Sequence, residues 1–430
     1  MKRFAVILMA LLSLSACKQD RNSVLKVYNW SNYIDETVLP EFEQWYAEKT
    51  GEEIKVIYQT FDINETMLSK IEKGHEDYDV VCPSDYIIER MLNSGLLVPL
   101  DFESLPDSIN YIRNNRSPYI TKVFSKINPD IDANDYSVAF MWGTTGILYN
   151  PKYVTDEEAS TWDILRNPKF SGKLFVKDAP RDVFGPVLIH LNKDRIAAGE
   201  VTVDDLMLDS SDEAVASVEA FMNQVSPLVA GWEADFGKEQ MTQERGYVSI
   251  NWSGDAVWAI EEGAEVGVEL RYVVPKEGSN IWFDGWVIPK YASNIKAATY
   301  FIDFMCRPDI AVRNMEETGY VSANGDISVL ESQVDESLDP IDVSYFFEGA
   351  DSVRVDPALY PDIHTIEYCG MLHDWGNETD KLISMWSRVK GDNANVMTIV
   401  VICVVIAALL FFGLRKKFTA KKSRRSTARR

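Results

Sequence analysis

Histidine and recognisable catalytic signatures are what this 430-residue chain has least of. Its four His stand apart at 75, 190, 364 and 373, with no H-E-x-x-H pair to hold a zinc ion. There is no G-x-S-x-G elbow, and Ser171-Gly-Lys173 lacks the earlier glycine of a phosphate loop. These absences argue against an enzyme without excluding one. Cysteine is scarce too. Cys17 and Cys403 fall in the terminal segments, and Cys82, Cys306 and Cys369 form neither a disulfide framework nor a C-x-x-C metal or redox pair. No internal repeat is present. Positive charge is also in short supply: 43 Lys+Arg face 66 Asp+Glu, a net charge of −23. That balance argues against nucleic acid, whose phosphates need clustered cations.

Apolar residues, by contrast, make up 46% of the chain and aromatics 11%, enough for a sizeable core in two or three domains. The bases that are present crowd the ends. Lys2 and Arg3 open the chain, and nine more lie between Arg415 and Arg430. Without those eleven, 32 bases face 66 acids, and the body carries a charge near −34. Lys2-Arg3 and the apolar run Phe4–Leu14 have the form of a secretory signal, residues 1–16. The run closes on Leu14-Ser15-Ala16-Cys17, which resembles a bacterial lipobox with Cys17 as the acylated residue. Val396–Leu414 is uncharged and almost wholly apolar; as a helix it would span roughly 28 Å, matching a bilayer core. The basic tail 415–430 then places the C-terminus in the cytoplasm and residues 18–395 outside the membrane.

Within that exterior portion, strands are expected at Val24–Tyr28, Glu53–Tyr58 and Tyr78–Cys82, separated by helices. Further strands are expected near Tyr136–Met141, Lys173–Val176, Gly246–Trp252 and Glu269–Val274. Alternation of this kind predicts a parallel α/β sheet covered on both faces. About 375 residues of it predict two lobes. Aromatic and small polar residues recur at predicted strand ends, beside carboxylates: Asn29-Trp30-Ser31-Asn32-Tyr33, Asn251-Trp252-Ser253-Gly254-Asp255 and Ile281-Trp282-Phe283-Asp284-Gly285-Trp286. Ligands of open α/β sheets bind at such ends. Each segment also has a purely structural reading. Ser84, Ser253 and Asp255 suit helix caps, Asp284-Gly285 suits a hairpin turn, and Trp30 and Tyr33 suit a core.

Val27–Tyr33, Asn64-Glu-Thr-Met67, Tyr78–Tyr86, Tyr136–Gly143, Arg181-Asp-Val-Phe184, Ile250-Asn-Trp-Ser-Gly254, Val274-Pro-Lys-Glu-Gly278, Trp282-Phe-Asp284 and Thr318-Gly-Tyr320 resemble in order the periplasmic spermidine/putrescine-binding proteins of ABC transporters. The resemblance covers about residues 24–390. It implies a two-lobed α/β periplasmic-binding-protein (type II) fold, closing on a polyamine in the cleft between lobes, with no cofactor or metal. The first lobe would comprise 24–138 and 285–328, the second 139–284 and 329–392, with crossings near Tyr136–Phe140 and Asp284. The resemblance further implies an aromatic box of Trp30, Tyr33, Tyr86, Trp252, Trp282 and Tyr320, with polar contacts from Ser31 and Ser84. Asp284 matches the principal ammonium-binding carboxylate and Asp182 an acid serving the opposite end. Asp255 stands where putrescine binders carry an Asp and spermidine binders a Ser. Ala179 departs from the spermidine pattern, and the transmembrane helix at 396–414 departs from the family's usual ending. The expected activity is that of a membrane-anchored polyamine receptor serving an ABC permease. An extracytoplasmic carbohydrate-active enzyme, which also combines Trp platforms with paired acids, and a tethered small-molecule sensor are the competing readings.

Overall fold

The computed structural model describes residues 21–106, 109–233 and 236–391. The signal segment, Cys17, the apolar run 396–414 and the basic tail lie outside the described residues. Among the described residues no helix is long and apolar enough to cross a membrane.

The chain opens as β1 (Val24–Trp30), α1 (Val38–Thr50), β2 (Lys55–Phe61), α2 (Asn64–Glu72), β3 (Val80–Val81) and α3 (Asp85–Asn93). β1 pairs in parallel with both β2 and β3. Its side chains are buried on both faces, as a parallel strand between two helical layers requires. Leu25 and Val27 face the cluster of Val38, Phe42, Phe301 and Phe304, while Tyr28 faces that of Met67, Ile88, Met91 and Phe124. α1 ends on Gly51 at φ 74°, a left-handed cap open to glycine without steric cost.

The second lobe is built on β4 (Ser137–Tyr149), β5 (Leu174–Lys177), α4 (Pro180–Leu191), α5 (Asp212–Val225), β6 (Val229–Glu233), β7 (Val248–Trp252), α6 (Ser253–Glu265) and β8 (Arg271–Val273). After β9 (Ser279–Val287) come α7 (Ile295–Met305), α8 (Pro308–Thr318), β10 (Val321–Ser322), β11 (Cys369–Met371) and α9 (Thr379–Lys390). The strand order is β2-β1-β3-β9-β4-β7-β5-β6.

Two long strands join the lobes. Ser137–Thr144 of β4 runs antiparallel to Val287–Ile281 of β9, and Thr145–Tyr149 continues into the second lobe against β7. The sequence pattern marks only the first half of β4, because its second half is buried on both faces and shows no alternation. Asp284-Gly285, readable as a turn, lies inside β9 opposite Met141 and Ala139, so no hairpin forms there. In the C-terminal segment, Val329, Leu330, Val343 and Phe346 join the cluster of Ile120, Phe124, Trp142 and Phe283. Leu382, Met385 and Trp386 of α9 join the second-lobe cluster of Phe184, Val218 and Phe221.

Candidate functional site

Asp284 sits midway along β9, where that strand crosses between lobes, and it is only 7% exposed. Two hydroxyls hold its carboxylate: Ser84 Oγ donates to Oδ1 at 2.6 Å and Tyr33 Oη donates to Oδ2 at 2.8 Å. Ser84 precedes α3 but makes no side-chain cap there. It instead accepts from Asn64 Nδ2 at 3.0 Å, so a relay runs Asn64–Ser84–Asp284. Asn64 also donates to Tyr86 Oη at 3.0 Å, orienting that ring. Burial pushes the Asp284 carboxyl up to about 6; the hydroxyls and the Trp30 indole pull it down, and the negative charge of Asp182 adds to the rise. Beside it, Asp85 is fully buried and accepts backbone N–H groups from Tyr86 and Phe283, pinning α3 to β9. Burial raises its carboxyl well above the usual range.

Rings gather around this acid. Tyr33 packs edge-to-face on Tyr320 at 5.2 Å between centroids, and Tyr320 packs in the same way on Trp282 at 5.5 Å. Trp30 leans on Phe61 at 4.6 Å. Two glycines allow this closeness. A Cβ on Gly254 would stand 2.3 Å from the Tyr320 ring, and one on Gly143 would stand 2.5 Å from Trp282. Asn32, at φ 53°, supplies the left-handed residue that turns the chain between Trp30 and Tyr33. The buried Trp282 indole N–H has no hydrogen-bond partner.

A second acid comes from the first turn of α4. Asp182 Oδ1 accepts from Trp252 Nε1 at 3.1 Å, and at 3.4 Å from each of Asn280 Nδ2 and Thr145 Oγ1. Desolvation raises its carboxyl above the usual range, against those bonds and the charge of Lys177, which lower it. Asn280 is wholly buried, and its Oδ1 has no partner.

Asp255 is placed differently. Lys177 Nζ reaches Asp255 Oδ2 at 2.8 Å, while Lys238 Nζ and Tyr320 Oη reach Oδ1, each at 2.9 Å. Lys177, 1% exposed, also pairs with buried Glu233 at 3.4 Å and lies 4.1 Å above the Trp252 ring. Burial alone would raise the Asp255 carboxyl, but the two lysines outweigh it and hold the group low. Burial raises that of Glu233, against Lys177. Tyr86 is likewise covered, by the Arg181 guanidinium at 4.1 Å; Arg181 is also paired with Glu65 at 3.5 Å. Ser31 is exposed and donates to Asp62 at 2.7 Å, so its hydroxyl serves the surface rather than Asp284.

The structure thus draws Trp30, Tyr33, Ser84, Asp284, Tyr320 and Trp282 into one cluster, and joins Asp182 to Trp252. Sequence reasoning passed over Lys177, Lys238, Glu233, Arg181, Asn280 and Thr145 as site residues. Asn64 carried a signal, since it opens one of the matching segments. The lysines carried none, because a lysine at a strand end, like Lys177, or in a short helix, like Lys238, reads as solvated surface.

The sequence model of the bacterial extracellular solute-binding proteins matches residues 42–335. This chain belongs to that family. Proteins of this class are transport receptors that bind a solute without transforming it. The chain is 29% identical over 385 residues to the spermidine/putrescine-binding periplasmic protein of Escherichia coli K12, covering 88% of this chain and 93% of that one. It is 30% identical over 350 residues to the putrescine-binding periplasmic protein PotF of the same organism, covering 78% and 83%. The solved spermidine/putrescine ABC transporter substrate-binding protein PotD of Streptococcus pneumoniae superposes with a TM-score of 0.63 at 30% identity, covering 86% of this chain and 99% of that one. The Tp0655 lipoprotein of Treponema pallidum shares the fold at TM-score 0.66 and 20% identity, over 85% and 99%. The two-lobed α/β architecture is therefore that of a solute-binding protein.

Proposed function

We propose that this protein is an extracytoplasmic polyamine receptor that delivers putrescine or spermidine to an ABC permease. One observation carries the reading: among the described residues no ion pair joins Asp284 or Asp182 to a base, and both stand among aromatic rings. Two desolvated carboxylates near one another repel, and a bound dication would relieve that repulsion. Aromatic faces suit both the methylene chain and its ammonium ends, each cation–π contact contributing about 0.5–2 kcal/mol. A neutral sugar would leave both acids unpaired. The named ligands of the E. coli relatives agree with this chemistry.

In this reading β4 and β9 form the hinge between a lobe of 24–138 and 285–328 and a lobe of 139–284. Of the segment 329–392 assigned to the second lobe, α9 packs there, whereas Val329, Leu330, Val343 and Phe346 pack against Ile120 and Phe124 of the first. Cys17 acylation and the 396–414 helix would tether the receptor beside its permease, with the basic tail in the cytoplasm. Titrating the full-length chain with putrescine, spermidine, spermine and a neutral oligosaccharide, by calorimetry and Trp fluorescence, tests the function. Saturable heat with an amine and no product formation is expected. Silence toward every amine, or cleavage of the oligosaccharide, refutes it.

A further inference from the structure

We infer that Lys177 is a built-in ammonium group that fills one end of the cleft, making the site selective for a diamine over longer polyamines. The inference rests on the receptor reading above and names what that receptor excludes.

The Lys177 ammonium occupies the environment a ligand ammonium would need. It has a carboxylate at 2.8 Å, a second carboxylate at 3.4 Å, and the face of Trp252 at 4.1 Å. It is 99% removed from solvent, and its chain springs from the last residue of β5. Lys238 takes the other oxygen of Asp255. Among the described residues two bases therefore face two acids, Asp255 and Glu233, and those charges balance without a ligand cation. Arg181 and Glu65 form another balanced pair over Tyr86. Asp85 gives its lone pairs to two backbone N–H groups.

What remains is Asp284, held by two hydroxyls, and Asp182, held by an indole, an amide and a hydroxyl. Among the described residues neither forms an ion pair with a base, although the Lys177 charge acts on Asp182 from beyond contact. The orphaned carbonyl oxygen of Asn280, whose amide already touches Asp182, is a ready acceptor for an incoming N–H. Two unpaired negative charges call for two positive ones. A triamine would bring a third ammonium toward the region Lys177 already fills, where it would meet a like charge and displace a buried pair. Trp252 couples the two regions, because its face carries Lys177 while its N–H carries Asp182. Asp255 thus acts on the ligand through Lys177 and is a positioning residue here.

The test is calorimetric titration of the full chain with 1,3-diaminopropane, putrescine, cadaverine and spermidine. The variant Lys177→Met is measured beside the wild type. Lys177→Gln, which retains a hydrogen-bonding end, replaces it should the methionine variant fail to fold. The wild type is expected to bind at least one diamine tenfold or more tighter than spermidine. Loss of the lysine should move the diamine-to-spermidine ratio at least tenfold toward spermidine. Equal wild-type affinities, or a ratio unmoved by either substitution, overturn the proposal while leaving the receptor reading intact. A wild type that binds no amine overturns the reading itself.

Discussion

Replacing Asp284 with asparagine should stabilise the empty receptor while disabling it. The carboxyl is raised from 3.8 to about 6 in the folded chain. A shift of roughly 2 units corresponds to about 3 kcal/mol of strain in the ionised state, at about 1.4 kcal/mol per unit. The sign follows from linkage. Between about pH 4 and 6 the folded state holds a proton that the unfolded state has released, so stability falls as pH rises through that window. At pH 7.5 the whole cost is present. Asparagine removes the charge but offers one acceptor where Ser84 and Tyr33 now find two, losing about 1 kcal/mol of hydrogen bonding. The empty Asp284→Asn variant should therefore be about 2 kcal/mol more stable than wild type at pH 7.5, and the gap should close by about pH 4. Ligand reverses the order. Losing the carboxylate partner of a buried ammonium costs about 3 kcal/mol or more, two powers of ten in Kd. Putrescine at 100 times the wild-type Kd adds about 2.7 kcal/mol to wild type and little to the variant. Urea denaturation at pH 4 and 7.5, with and without putrescine, measures all four values. A variant less stable than wild type when empty, or one that ligand stabilises equally, would refute the argument.

The same titration governs affinity: an ammonium favours ionised Asp284, so putrescine should bind about tenfold more weakly at pH 5 than at pH 7.5, and more weakly still as Asp182 protonates. A flat profile by calorimetry would remove both acids from the site. Ser84→Ala breaks the relay from Asn64 and leaves Asp284 one donor, so Kd should rise roughly five- to tenfold, about 1 kcal/mol. Asp62→Asn, at a carboxylate that accepts from the exposed Ser31 hydroxyl, serves as the comparison and should change Kd less than twofold by fluorescence titration. Gly254→Ala would drive a methyl group into the Tyr320 ring, 2.3 Å away. It should weaken putrescine binding at least tenfold and lower the melting temperature, about 2 kcal/mol being typical of overpacking; an unchanged Kd would show that Tyr320 can move without affecting the ligand.

Much of the architecture was legible in the chain because its cues are local. Apolar runs of strand length, glycine stops such as Gly51 and the alternation with amphipathic helices suffice for an α/β reading over 24–93. Legibility fails where pairing is distant. The second half of β4 is strand because it meets β7 and β8, which lie far along the chain from it. Asp284-Gly285 has turn composition, yet β4 holds it extended. Ser84 has the composition and position of a helix cap, yet its hydroxyl turns to an acid 200 positions away. These side chains had stronger partners than their neighbours in sequence could offer.

The acidic body, the aromatic residues at strand ends and the carboxylates beside them are properties of the sequence alone, and they suffice to point to a cationic, partly apolar ligand. Which carboxylates remain available is a property of the tertiary structure. Asp255 and Asp284 look alike in one dimension, each next to a tryptophan-bearing strand. Folding brings Lys177 and Lys238 onto Asp255 and, among the described residues, brings hydroxyls and an indole but no base onto Asp284. Coulombic neutralisation depends on separations of a few ångströms between residues up to 78 positions apart, and chain order does not carry that distance.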